Sequence, residues 1–195
     1  TILFWKEEEN QFVIANIDPN RTDYTFEDYL QLPYRAPYEL MNGKLVFKPT
    51  PYIKHQSVLG ELLFLLGTYN KKHTLGKVLF LPFDVLFDKN NCCQPDLLFI
   101  NNQRLGILDE LRANDAPDLT IEILSEDLER DYVHKMAIYA KFGVLEYWII
   151  DLKTPKIDVY ENQDSEMVLV QTAGLNGSIK SKVIKDFVLN LSDIF

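Results

Sequence analysis

Glu122 stands in the middle of an otherwise apolar run, Leu119-Thr-Ile-Glu-Ile-Leu124. A short segment rich in Ile and Leu reads as a strand covered on both faces. A carboxylate inside it shares a face with Thr120 and Leu124. If that face is covered, the acid needs a metal, a cationic partner or a shifted pKa, because burying an unpaired charge is too costly. If it is open, Glu122 is an ordinary solvated or lysine-paired residue.

The surrounding pattern favours coverage. Thr25-Phe26-Glu27-Asp28 reads as a helix start, with Thr25 as cap and Asp28 three residues on; Pro33 and Pro37 keep that helix short. Tyr38 to Phe47 carries Asn42-Gly43 between two alternating segments, a strong hairpin signal. From about Tyr52 to Lys72, Leu59, Leu62, Leu63, Leu66 and Tyr69 recur at helical spacing. Residues 77–87 and 97–100 read as strands. A second helix is expected from about Leu128 to Phe142, with Val133, Met136, Ala137 and Ala140 on its apolar face and Gly143 as its stop. Glu146 to Asp151, Lys156 to Tyr160 and Met167 to Thr172 read as further strands. Strands interleaved with helices predict an α/β sandwich with a mixed sheet. We expect a single domain over residues 25–195, preceded by an irregular, polar extension over 1–24 that holds the acidic run Glu7, Glu8 and Glu9.

Composition removes several function classes. Asp and Glu number 29 against 20 Lys and Arg, a net charge of −9, which speaks against a general nucleic-acid coat. The charge is uneven: residues 41–80 hold 6 basic side chains and 1 acid. That is a phosphate-facing patch or a solvated helix and hairpin. The longest nearly apolar run, Val58 to Gly67, is too short to span a bilayer, and no secretory signal is visible. Cys92 and Cys93 are neighbours, so they cannot build a disulfide framework or a zinc site. They read as small loop residues, or as a vicinal redox pair, and a reducing, cytoplasmic setting is expected. Phosphate-binding loops, dinucleotide fingerprints and the serine-hydrolase elbow are absent from the sequence.

Asp96 follows Gln94-Pro95 and leads into Leu97-Leu-Phe-Ile100, so it sits at a strand entrance, as a turn residue or as a ligand. Glu39 lies on the first hairpin strand. Carboxylates converging from separate strands are what Mg²⁺ requires: hard oxygen donors with room for water and phosphate. Asp131, Lys135 and Tyr139 stand four apart on the second helix and share a stripe distinct from the apolar one. That stripe is either a helix salt bridge or a lysine held by Asp131 and aimed at the acids. His55 faces inward, as a core residue or a site residue.

Taken together these residues resemble the Uma-two family of endonucleases, a branch of the PD-(D/E)XK restriction-endonuclease-like superfamily. The resemblance runs from about Thr25 to Phe195. It includes Tyr38-Glu39-Leu40 with Gly43, His55, Pro95-Asp96, and Pro117-Asp118-Leu119 with Glu122-Ile-Leu-Ser125. It continues through Asp131, Lys135 and Tyr139, Gly143-Val144, Glu146-Tyr-Trp-Ile-Ile-Asp151, and the closing Phe187-Val-Leu with Leu191 and Phe195. It implies a central mixed sheet flanked by helices, Mg²⁺-dependent phosphodiester hydrolysis with Mn²⁺ able to substitute, DNA as substrate, and a homodimer. Asp96 and Glu122 would bind metal, with the Ile123 carbonyl as a further ligand and Glu39 completing the acidic cluster. The superfamily's lysine should stand two residues after the acid, where this chain has Leu124; the branch points instead to Lys135. His55 carries over as a site residue without an assigned role, and Asp131 and Tyr139 support the centre. Lys44, Lys48 and Lys54 would attract backbone phosphate. The rival readings are a nuclease-like scaffold that binds nucleic acid or protein without cutting, and an interaction protein whose acids are merely solvated.

Overall fold

The computed structural model describes residues 2–6, 11–15, 17–33, 36–124 and 127–195; Glu7, Glu8, Glu9 and Ser125 lie outside the described residues. β1 (Ile2–Lys6) and β2 (Gln11–Ala15) pair as an antiparallel ribbon. This differs from the irregular extension expected of a polar segment, because Ile-Leu-Phe-Trp and Phe-Val-Ile are strong strand formers. α1 (Phe26–Leu30) opens on a capping box: Asp28 Oδ2 accepts the Thr25 amide at 2.9 Å while Thr25 Oγ1 accepts that of Asp28. β3 (Tyr38–Met41) and β4 (Lys44–Phe47) form the expected hairpin. Asn42 and Gly43 turn it at φ 49° and 73°. A Cβ on Gly43 would lie 2.4 Å from the Thr22 carbonyl oxygen. α2 (Ile53–His73) buries His55, Val58, Leu59, Leu62 and Leu66.

The run 77–87, expected as one strand, is two. β5 (Gly76–Phe80) and β6 (Asp84–Asp88) belong to different sheets, since Pro82 cannot donate to a ladder and interrupts the run. β7 (Asn91–Cys93) holds both cysteines as buried strand residues with free thiols, not as loop residues. β8 (Leu97–Asn101), β9 (Arg112–Ala113) and β10 (Leu119–Ile123) follow. A π-helical turn, Arg130–Lys135, leads into α3 (Met136–Phe142), which Gly143 ends at φ 86°. The expected apolar face of this helix is displaced. Val133 and Ala137 are exposed and Met136 is half-buried; Ala140 is buried as expected, and Asp131, Lys135, Ile138 and Tyr139 also turn inward. A π turn spaces its hydrogen bonds five residues apart, so α-helical arithmetic misplaces the side chains around it. β11 (Glu146–Asp151), β12 (Lys156–Gln163), β13 (Glu166–Gly174), β14 (Ser178–Lys180) and β15 (Val188–Asn190) complete the chain.

The large sheet runs β13-β12-β11-β10-β8-β5 and is mixed, with β10 and β11 parallel. A second sheet, β4-β3-β7-β6-β9, has no counterpart in the sequence reading. Alternation along the buried strands sorts the core. Leu97, Phe99, Leu119, Ile121, Trp148 and Ile150 pack with Leu59, Leu62 and Leu66 of α2. Tyr147 and Ile149 meet Ile138 and Tyr139 of α3, with Met41 and Cys93 from the second sheet. The large sheet is thus covered by α2 on one face and by α3 and the second sheet on the other. Among the described residues no helix is long and apolar enough to cross a membrane.

β5 approaches β8 closely at Gly76, where a Cβ would lie 2.0 Å from the Ile100 carbonyl oxygen and 2.8 Å from the Phe99 ring. Gly76→Ala is expected to cost about 1–3 kcal/mol through overpacking. The measurement is a lower urea midpoint at unchanged slope; an unchanged midpoint would mean that β5 shifts freely.

Candidate active site

The antiparallel ladder between β8 and β10 ends at Leu97 opposite Ile121. The next inward amide of β10, that of Ile123, donates instead to Asp96 Oδ2 at 2.8 Å. The aspartate at the entrance of β8 is thereby fixed beside the end of β10. His55, from the first turn of α2, places Nε2 3.0 Å from the same oxygen. Lys48, just beyond β4, places Nζ 3.5 Å from Asp96 Oδ1 and donates to the Gln94 carbonyl at 2.5 Å.

Glu122 projects from β10 onto the α3 face and is 1% exposed, which removes the solvated-acid reading. Its Oε1 accepts from Lys135 Nζ at 2.8 Å and from the Tyr139 hydroxyl at 2.7 Å. Lys135 is fully buried and reaches a second acid, Glu39 Oε1, at 3.0 Å. Glu39 Oε1 also accepts the Gln94 amide at 2.6 Å, while its Oε2 is buried without a hydrogen bond. The structure therefore brings Asp96, Glu122, Lys135, Glu39, His55, Tyr139 and Lys48 together. Asp131 is buried nearby, but it takes its bond from Arg130 Nε at 3.2 Å rather than holding Lys135 as the helix-stripe reading expected. Tyr147 pins the π turn by donating its hydroxyl to the Asp131 carbonyl. Lys54, beside His55 in the first turn of α2, is tied to the Leu152 carbonyl at 2.6 Å, and Lys44 is exposed on β4.

Arg130, 4% exposed, is a site residue that the sequence reading missed. In an α-helix it would point away from Lys135. The π register brings positions five apart onto one side, and nothing in Glu129-Arg130-Asp131 announces that register.

The cluster crowds four acids around three permanent cations. Burial pushes the Glu122 carboxyl up to about 7 against the pull of Lys135, and the Asp96 and Asp131 charges add to the rise. Burial also resists ionisation of Asp96, but Lys48 and His55 outweigh it and hold that carboxyl well below the usual range. Glu39 is likewise held down, by Lys135, Lys48 and Arg130 against burial. Burial opposes the charge on Lys135, yet Glu122, Glu39 and Asp131 outweigh it and keep the ammonium protonated.

Among the described residues no three His, Cys, Asp or Glu side chains are arranged to hold an ion by themselves. Magnesium rarely asks for that: one or two carboxylates, waters and substrate oxygens suffice. Asp96, Glu122 and the Ile123 carbonyl are hard oxygen donors of that kind, and the unpartnered Glu39 Oε2 is a further one. The donor set fits.

A mixed sheet flanked by helices, with acids from two neighbouring strands and a buried lysine at its end, defines a restriction-endonuclease-like fold. The chain belongs to the Uma2 family, described as putative restriction endonuclease, whose model matches residues 26–192; this places it among the nucleases. Its fold is similar to the crystal structure of a putative nuclease belonging to DUF820 from Anabaena variabilis ATCC 29413. The TM-score is 0.72 at 24% identity, and the match covers 88% of this chain and 97% of that one. No curated protein matches the chain.

Removing Lys135 leaves two buried acids without their shared cation, so Lys135→Met is expected to cost about 3–5 kcal/mol at neutral pH. The loss should shrink in acid. Glu122 titrates near 7 in the fold against about 4.3 in an unfolded chain. Between those values the folded state binds the extra proton, so this group's contribution to stability falls as pH rises. Urea midpoints of both proteins at pH 5 and pH 8 check this; an equal gap at both would remove Glu122 as the titrating partner.

Proposed function

We propose that the protein is a metal-dependent endonuclease that hydrolyses DNA phosphodiester bonds. The observation that carries this is the buried meeting of Asp96, Glu122 and Lys135 from three separate elements. Asp96, Glu122 and the Ile123 carbonyl would hold Mg²⁺ or Mn²⁺, with Glu39 at its border. Once bound, a divalent ion supplies Lewis-acid polarisation of the phosphate and a water of lowered pKa. The chain's own residues do the rest. His55 and the Ile123 amide fix the Asp96 carboxylate in one orientation, and Tyr139 does so for Glu122. Lys135, held protonated, orients the attacking water or neutralises charge that develops on the phosphate. Lys48 and Arg130 contribute fixed positive charge beside the acids. The reading extends to a cytoplasmic homodimer.

One observation favours a second reading, a nuclease-like module that does not cut. Glu39, Glu122 and Lys135 already satisfy one another at 0–2% side-chain exposure. Isothermal titration separates the two readings, since a module without catalysis shows no Mg²⁺ binding that Asp96→Asn abolishes.

The direct test is plasmid cleavage with Mg²⁺ or Mn²⁺. Asp96→Asn and Lys135→Ala, checked for folding by circular dichroism, are expected to lose at least about 100-fold in rate, on the scale of removing a charge-stabilising group. Wild-type cleavage should rise with pH as Glu122 loses its proton near 7, since the ligand form is the carboxylate. Equal activity in all three proteins would remove the assignment.

A further inference from the structure

Between β4 and α2 runs the strap Phe47-Lys-Pro-Thr-Pro-Tyr-Ile-Lys-His55. Both its ends reach one carboxylate: Lys48 Nζ lies 3.5 Å from Asp96 Oδ1, and His55 Nε2 lies 3.0 Å from Asp96 Oδ2. The residues between them, stiffened by Pro49 and Pro51, therefore border the acidic cluster. Their character is opposite to it. No acid occurs between Glu39 and Glu61, in a chain with 29 acids. Three large apolar side chains of the strap face solvent: Phe47 is 55% exposed, Tyr52 70% and Ile53 87%. The Phe47 ring is held edge-on against Tyr38 at 5.7 Å between centroids.

The strap ends at the start of α2, a helix of 21 residues with no side-chain cap and no acid in its first turn. Its open amides and dipole favour an anion. Lys54 stands in that turn, anchored to a main-chain carbonyl. His55, in the same turn and 9% exposed, keeps a buried Nδ1 without a hydrogen bond. A basic, acid-free segment with exposed rings shares the makeup of sites for unstacked nucleotides, where charge follows the backbone and rings take bases. A fully paired duplex carries the same charge, but its bases are stacked on one another and only the terminal pairs offer a face to a ring.

We propose that the strap binds an unpaired nucleotide of the substrate strand, its phosphate at the first turn of α2 and its base against Tyr52 or Phe47. This rests on the nuclease reading for its ligand class and adds to it a preference for single-stranded, gapped or frayed DNA. A second copy of the chain is the competing occupant of the same surface.

The test is fluorescence anisotropy in EDTA with a labelled 20-nucleotide single strand and a blunt duplex of equal length. Wild type is expected to bind the single strand more tightly. Tyr52→Ala or Phe47→Ala, whichever ring takes the base, should weaken that binding about tenfold, the cost of one lost stacking contact, and leave duplex binding unchanged. Tyr52→Phe, which keeps the ring, should restore it, and Phe64→Ala, exposed on the body of α2, serves as control. Single-strand affinity equal to wild type in both ring variants overturns the proposal. So does a drop in mass by light scattering that accompanies Tyr52→Ala, because a second copy then covers the strap. Cleavage is measured separately. Ring-dependent binding without Mg²⁺-dependent cutting would sink the nuclease reading alone, and cutting without ring dependence would sink this one alone.

Discussion

The ammonium of Lys135 joins three layers of the molecule. It comes from the π turn, and its partners are Glu122 on the large sheet and Glu39 on the small one, at 2.8 and 3.0 Å. As a source of stability this is a poor arrangement. Desolvating a lysine and two carboxylates costs several kcal/mol per ion, and well-packed apolar residues of the same volume would do as well or better. A fold that keeps such a cluster at its centre, with Arg130–Asp131 and Lys48–Asp96 beside it, gives up stability that an apolar core would keep, which on the proposed reading serves the reaction. Shifted carboxyl groups in opposite directions within one cluster carry the same message.

The architecture explains where the cluster sits. β10 and β11 are the parallel pair of the large sheet, and Glu122 lies toward the carboxyl end of β10. Ends of parallel strands leave a crevice because the chain must depart over a layer to return. Here the π turn and α3 form that layer. The antiparallel neighbour β8 brings Asp96 to the same end by starting where β10 finishes. The second sheet then closes the crevice with β3 and its Glu39.

Parts of this were legible where local chemistry decides. Thr25 and Asp28, Asn42-Gly43, and the leucine spacing of α2 specify their elements without help from the rest of the chain. Asp96 and Glu122 were legible because acids in apolar surroundings conflict with their context. Other parts depend on contacts between distant residues. Residues 77–87 read as one strand, whereas Pro82 divides two sheets there, and Cys92 and Cys93 become strand residues only when β3 and β6 flank them. Lys135 was legible on its helix stripe with Asp131 and Tyr139 only as one of two alternatives, and the resemblance chose between them, because no local spacing links it to Glu122, thirteen positions away. Arg130 did not enter at all, since a π turn leaves no mark in the hydrophobic pattern.

Charge counting gives the cluster its direction. Among the described residues, Glu39, Asp96, Glu122 and Asp131 face Lys48, Arg130 and Lys135, so one negative charge is left over when these seven are ionised. Burial above all, with the Asp96 and Asp131 charges beside it and against the pull of Lys135, pushes the Glu122 carboxyl up to about 7. A proton on Glu122 closes the gap, and so would an added cation. A phosphodiester brings another negative charge into the same desolvated space, where like charges repel strongly. On the proposed reading, a phosphate that enters the cluster itself, as distinct from one held at the first turn of α2, calls for further positive charge, and a single proton on Glu122 only restores neutrality. Two added positive charges leave the ionised cluster at +1, opposite to the incoming phosphate. On the proposed reading, divalent-ion dependence thus follows from the balance of side chains that Lys135 holds together.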